Sequence, residues 1–438
     1  MKHGIVDSQK VPLRNASSEI SSDSADEAEE AEPPGCTNTS LSPMLYRHPF
    51  YMHVPDELWN NWKWQFQNRV TTIDELKKFI PLDDIETAAL QKTALRYPLS
   101  VTPYYLSLIN PADPQDPVRL QCVPSSLETC SSLDGYDDPL DEIGDSVVPG
   151  LVHRYQDRAL IVTTNICPVF CRHCTRKRDW NQKGMIRNRN EFEEMFEYIK
   201  SNPQIRDVII SGGDPLSLSN ARLEWILRSL RSIEHIEIIR IGSRFPVVLP
   251  QRIDDDLCEM LSRYSPIWFN THFNNVWEIT PESAAACDRL LRHGIPLNNQ
   301  SVLLKGVNDT VKDQLALCQG LLKIKVRPYY LFQCDEVRGT EHMRTPVEKG
   351  VEIIAGMRGH TSGMGIPTFV VDLPNGGGKV PLLPQYVLAI DHQTVLFKNY
   401  QGDVYSYRNP SQDIDCPSQD LPVSKEVSAD AVYHGVEA

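Results

Sequence analysis

The sequence predicts an α/β fold, a partial or full (β/α) barrel preceded by an N-terminal helical extension. Three observations carry this. From Leu151 onward, short apolar runs alternate with helix-like segments, the pattern of repeated βα units around a parallel sheet. At least six of the runs are strand-like, which suits a barrel better than a doubly wound sheet. The chain has 438 residues and is 41% apolar, enough to build a large core without disulfides.

In chain order, residues 1–40 read as a disordered acidic tail. Ser18–Pro34 holds Glu19, Asp23, Asp26, Glu27, Glu29, Glu30 and Glu32 with no Lys or Arg, and such a segment buries too little apolar surface to fold. Residues 41–150 form a helical region and a connection. Asp56–Arg69 reads as a helix with its aromatics on one side. Thr72 caps a further helix, with Glu75 at capping-box spacing, and the helix-like stretch 75–100 is broken at Pro81 and Pro98. Residues 110–150, rich in Pro, Asp and Ser, read as a long connection.

Residues 151–373 form the barrel. Strands are predicted at Ala159–Thr163, Val208–Ser211, Ile236–Ile241, Ile267–His272, Gln300–Leu304, Pro328–Phe332 and Thr368–Asp372. Helices are predicted at Glu191–Asn202, Ala221–Ile233, Asp254–Tyr264, Pro281–His293, Val311–Leu322 and Val347–Met357. Residues 374–438 form a C-terminal segment and tail.

The formal net charge of -14 argues against a nucleic-acid binder, which needs a basic surface. No apolar run is long enough for a transmembrane helix, and no targeting signal is readable, so a cytoplasmic protein is expected. The eleven cysteines are odd in number and mostly scattered, unlike a secreted disulfide framework. A reducing compartment suits them.

Three cysteines cluster in Cys167-Pro-Val-Phe-Cys171-Arg-His-Cys174, directly after a predicted strand. Soft thiolates select iron–sulfur clusters or zinc. Structural zinc takes four ligands, and only three cysteines are near; a zinc knuckle would need His173 or a distant cysteine. A cubane held by three cysteines leaves one iron open. Ser211-Gly212-Gly213-Asp214 follows the next predicted strand, where glycines let a ligand approach the backbone. His272 and Gln300 lie near the ends of later strands, and each also reads as a satisfied core residue. Farther on, three glycines precede Lys379. A lysine so presented can bond an aldehyde cofactor; it also reads as a surface lysine on a flexible loop. The Walker spacing is absent, which disfavours a phosphate-binding loop.

The C-x3-C-x2-C spacing resembles the signature of the radical S-adenosylmethionine superfamily, and implies a barrel of that type. Cys167, Cys171 and Cys174 would then bind a [4Fe–4S] cluster. Ser211, Gly212, Gly213, Asp214, His272 and Gln300 would contact S-adenosylmethionine. His153–Arg158, Cys167–Arg176, Pro328–Asp335 and Asp372–Lys379 together resemble the lysine 2,3-aminomutase family, in order and spacing, from about Trp59 to about Tyr407. Asn375 departs from the pattern, standing where the family typically has glycine.

The resemblance implies interconversion of L-lysine and β-lysine through a 5′-deoxyadenosyl radical, on substrate linked to pyridoxal 5′-phosphate. It makes Lys379 the catalytic, cofactor-linked lysine. Arg154 and Arg158 would hold the cofactor phosphate, Tyr155 the pyridoxal ring, Arg176 the substrate carboxylate, and Asp335 and Asp372 the distal ammonium. Two aspartates favour lysine over glutamate; arginine and glutamate aminomutases, and a radical enzyme without pyridoxal phosphate, are the alternatives. The implied partners are a small amino acid and a one-electron reductant, with no nucleic acid or membrane. A homo-oligomer stays open. After Tyr407 only Cys416 remains, so the family's C-terminal zinc site is not expected.

Overall fold

Parallel strands in chain order form the centre of the protein. The computed structural model describes residues 47–130 and 135–410; the acidic tail read at 1–40 and Cys416 lie outside them. One sheet holds β1 (Ser146–Val148), β2 (Leu151–Tyr155), β3 (Arg158–Val162), β4 (Asp207–Ser211), β5 (Ile238–Gly242), β6 (Ile267–Thr271), β7 (Leu297–Leu303), β8 (Arg327–Gln333), β9 (Thr368–Leu373) and β10 (Gly378–Pro381), in that order. From β3 to β9 every neighbouring pair is parallel. β1, β2 and β10 add antiparallel edges. Among the described residues β1 and β10 share no ladder, so the barrel is partial.

Helices cross between the parallel strands, as the βα rule requires. Asn220–Arg231 shows why they dock: Leu223, Ile226, Leu227 and Leu230, spaced i, i+3, i+4 and i+7, are all buried. They share one core with Val208 and Ile210 of β4 and Ile239 and Ile241 of β5. Each such side chain contributes about 1.5–3 kcal/mol on burial. The alternate strand residues, among them Ile209, Ser211, Arg240, Asn270, Gln300, Tyr330 and Phe332, line a central cavity instead.

Several elements differ from expectation. Asp56–Arg69 is two helices, Asp56–Trp59 and Trp62–Gln67. Asn61 Oδ1 accepts from the Lys63 and Trp64 N–H groups at 2.9 and 3.2 Å and so restarts the helix. Thr72 and Glu75 do form the capping box. The 75–100 stretch becomes Ile73–Leu76 and Asp84–Arg96. β7 begins at Leu297, three residues before the predicted start, because buried Asn299 is satisfied by both the Phe273 N–H (2.7 Å) and its carbonyl (3.0 Å). The 110–150 stretch contains the helix Pro117–Cys122 and β1. β11 (Val387–Ile390), β12 (Thr394–Lys398) and β13 (Val404–Arg408) form a separate antiparallel sheet that the sequence pattern did not predict. Among the described residues no helix is long and apolar enough to cross a membrane.

Candidate active site

The carboxyl ends of the parallel strands open on one cavity of about 510 Å³, within the range of small-molecule sites and at the end where βα barrels bind ligands. Three groups of residues meet there.

The first is the cysteine loop after β3. The N-terminal extension pins it. The Phe170 N–H donates to the Ser100 carbonyl (2.9 Å) and the Arg172 N–H to that of Gln121 (2.8 Å). Arg69 Nη1 donates to the Cys167 carbonyl at 2.6 Å. Beneath the loop, buried Glu128 pairs with Arg172 (2.6 Å) and Lys177 (2.7 Å). Cys167, Cys171 and Cys174 face the cavity. Burial, then mutual repulsion, pushes the Cys174 thiol up to about 11 and raises Cys167 well above its usual value; bound iron would take the thiolates regardless. Among the described residues no three His, Cys, Asp or Glu side chains gather round a point fit for one ion. Three cysteines on one loop are a donor set that iron–sulfur clusters take.

The second group begins at the end of β4. Gly212 has φ +144°, and a Cβ there would lie 2.7 Å from the Thr164 carbonyl oxygen. A Cβ on Gly213 would lie 2.5 Å from that of Ile166. The turn therefore lies flush against the segment leading to the cysteines, a placement only glycine permits. Asp214 turns inward, accepting from Ser243 Oγ and the Arg244 N–H, both at 2.8 Å, and burial lifts it to about 7. His272 Nδ1 lies 3.0 Å from the Gln300 carbonyl. A carbonyl only accepts, so Nδ1 carries the proton and Nε2 is an acceptor. Burial, then Arg244, lowers His272 to about 4, so it is neutral at pH 7.

The third group surrounds Lys379. Antiparallel register sets Lys379 opposite Asp372, and Nζ lies 2.9 Å from Asp372 Oδ1. The Lys379 N–H donates to Tyr155 Oη at 3.0 Å, a side-chain bridge across the open side of the barrel. Asn375 takes φ +55°, a left-handed conformation that Asn tolerates better than most residues, which accounts for asparagine where glycine is usual. Asp335 is lifted to about 7 by burial and then by Asp372, with Lys379 opposing.

The three arginines line the same cavity but are engaged by the chain's own carboxylates. Arg158 Nε donates to Asp157 at 2.8 Å, and its side chain is 40% exposed. Arg154 Nε donates to Asp145 at 2.6 Å and Nη2 to the Leu140 carbonyl. Glu142 takes the fork of Arg176 in two bonds, 2.9 and 2.6 Å. Arg176 Nη1 also reaches the Gly212 carbonyl at 2.8 Å. Burial alone would raise Glu142, but Arg176 and then Arg178 hold it at about 2. The structure thus gathers all sixteen residues singled out in the sequence around one cavity. It adds Glu142, Asp145 and Arg244, which no motif marked.

A family model described as Radical SAM superfamily matches residues 161–316, and one described as Lysine-2,3-aminomutase matches 354–437. The L-lysine 2,3-aminomutase of Acetoanaerobium sticklandii is 51% identical over 84% of this chain and 89% of its own length. That of Clostridium subterminale is 50% identical over 83% and 88%. The glutamate 2,3-aminomutase of Clostridioides difficile is 43% identical over 82% and 85%. Identity at this level over nearly the whole of each relative leaves no room for a shared barrel alone: the chain belongs to the lysine 2,3-aminomutase family of radical S-adenosylmethionine enzymes.

Proposed function

We propose that the protein interconverts L-lysine and β-lysine in the cavity between the cysteine loop and Lys379. The observation that carries this is the placement, in one cavity, of three thiols and a lysine backed by two aspartates. When bound, a [4Fe–4S] cluster with S-adenosylmethionine supplies a carbon radical able to remove an unactivated hydrogen, and pyridoxal phosphate supplies an electron-accepting ring. The donor sets fit these groups. Cys167, Cys171 and Cys174 offer thiolates for three of the four irons and would leave the fourth open. Gly212 and Gly213 let the turn after β4 pack flush against the segment leading to those cysteines, with His272 and Gln300 across the cavity.

Lys379 would hold pyridoxal phosphate, with Asp372 keeping its amine aimed inward and Tyr155 fixing its backbone. The half-exposed fork of Arg158 suits a phosphate. Arg154 and Arg176 would serve phosphate and substrate carboxylate by sharing N–H groups with Asp145 and Glu142. The buried thiols Cys122, Cys258, Cys287, Cys318 and Cys334 stand outside any disulfide, which supports a cytoplasmic setting.

Asp335 and Asp372 would pair with the distal ammonium of lysine, since a cation entering a closed site must be met by charge. This gives a pH signature. Asp335 stands at about 7, so it loses its charge as pH falls through 7. The KM for lysine should rise below pH 7 and level off above it. Asp335→Asn should remove that dependence and raise KM roughly tenfold or more, the worth of one charge-assisted bond. A KM flat from pH 6 to 8.5 in the native enzyme would remove Asp335 from substrate recognition. The reaction itself is tested by anaerobic reconstitution with iron, sulfide, pyridoxal phosphate and S-adenosylmethionine. L-Lysine, L-arginine and L-glutamate are then screened for 3-amino products. Turnover of glutamate or arginine but not lysine would overturn the substrate assignment.

A further inference from the structure

Arg244, two residues beyond β5, bonds from all three of its side-chain nitrogens. Nη1 donates to Cys171 Sγ at 2.8 Å. Nη2 donates to Glu278 Oε1 at 2.7 Å, to Tyr105 Oη at 3.0 Å and to Gln121 Oε1. Nε reaches the His272 carbonyl at 3.2 Å. Glu278 is fully buried and is itself fixed by the N–H groups of Asn274 (2.6 Å) and Asn275 (2.9 Å). The guanidinium therefore cannot swing away from the sulfur. Tyr105 and Gln121 come from the N-terminal extension, so that extension helps aim a cation at one cysteine of the loop.

We propose that Arg244 is a positioning residue for electron entry, raising the reduction potential of the cluster through its bond to Cys171. This rests on the reading of Cys167, Cys171 and Cys174 as cluster ligands. One electron from an external one-electron reductant enters the cluster; no bond forms or breaks. No proton moves, because the guanidinium stays charged in both states. The added negative charge spreads onto the thiolates. A fixed cationic donor at one sulfur favours that state over the oxidised one, and hydrogen bonds and charge at the sulfurs are what set such potentials. Burial of Arg244 limits screening of its charge by solvent. Glu278, one bond farther from the sulfur, moderates it with the opposite sign.

The test is an EPR-monitored redox titration of the full-length, iron-loaded protein without S-adenosylmethionine, with iron content measured alongside. Arg244→Gln should make reduction about tenfold less favourable, a shift of about 59 mV to more negative potential for one electron. Glu278→Gln, whose amide oxygen can still take the Asn274 and Asn275 N–H groups, should shift it the other way. A residue that merely braced the loop would change iron content without this pair of opposite shifts. Iron-loaded variants whose reduction equilibria stay within threefold of the native protein would overturn the proposal, as would a positive shift in Arg244→Gln. Should Arg244→Gln fail to load iron, the sign of the Glu278→Gln shift decides. A native protein that takes up no iron refutes the cysteine reading itself, and this proposal with it.

Discussion

Alanine in place of Lys379 is expected to leave a folded, iron-binding protein that retains no pyridoxal phosphate and turns over at least roughly 10³-fold more slowly, the scale seen when a group that acts on the reacting atoms is lost. The side chain is 34% exposed and lies on the last strand of the sheet, so its removal opens no core cavity. The backbone bond to Tyr155 is untouched. The change falls on charge. Asp372, 6% exposed in its side chain, loses its partner, and Asp335 loses the cation that opposes its upward shift. The Asp335 carboxyl then favours the neutral form more strongly. Lys379→Arg separates the two roles. A guanidinium keeps a positive charge opposite Asp372 but cannot form the covalent link that an amine can. Arginine should preserve thermal stability and still leave the protein without the cofactor's absorbance. An alanine variant that keeps the native absorbance would sink the assignment of Lys379.

Strand and helix alternation was legible because the barrel strands are largely β-branched runs, with one face buried under the helices and the other lining the cavity. Val208-Ile-Ile and Ile238-Ile-Arg-Ile are runs that few other environments produce. Their ends were harder. Asn298 and Asn299 look like a turn, yet they belong to β7, because Asn298 meets Asn270 on the neighbouring strand and Asn299 meets the Phe273 backbone, so neither side chain is left unsatisfied. The Asn60–Asn61 break was missed for the related reason that aromatic periodicity continues across it. The site was legible wherever chemistry dictates spacing: three cysteines on one loop, glycines where backbone must approach backbone, a lysine after a tight turn. Residues that act by supporting others left no such mark. Glu142, Asp145 and Glu128 come from a stretch whose Pro, Asp and Ser content reads as connection. Asp116 before Pro117, and Ser125 and Glu128 at capping-box spacing, were signs of order there, and both caps are formed. Arg244 had no sign at all, since its partners come from four separate parts of the chain.

Glu128→Ala should be the most destabilising single change outside the hydrophobic core. Glu128 and its partners Arg172 and Lys177 are 0–1% exposed in their side chains. Arg172 is held further by the Pro98 and Tyr97 carbonyls at 2.8 and 3.0 Å, and Lys177 by that of Gly339 at 3.0 Å. The two sides of the triad fare differently. Burial lowers the Lys177 amine to about 8 despite Glu128, whereas burial of Glu128 is outweighed by its two cations, which hold it low. The carboxylate is doubly paired while the ammonium shares its partner, so the triad depends most on Glu128. Removing it strands two buried cations, a loss of about 3–5 kcal/mol. Arg172 lies between Cys171 and Cys174, and Lys177 just after them, so the damage should reach the cysteine loop. Denaturant melts should show the lost stability, and iron per chain after reconstitution should fall severalfold. Adding Lys177→Met should recover part of the loss, because one of the stranded charges is gone and neighbouring substitutions are not additive. Native-like denaturation together with full iron loading in Glu128→Ala would mean that the loop holds its shape without the buried triad.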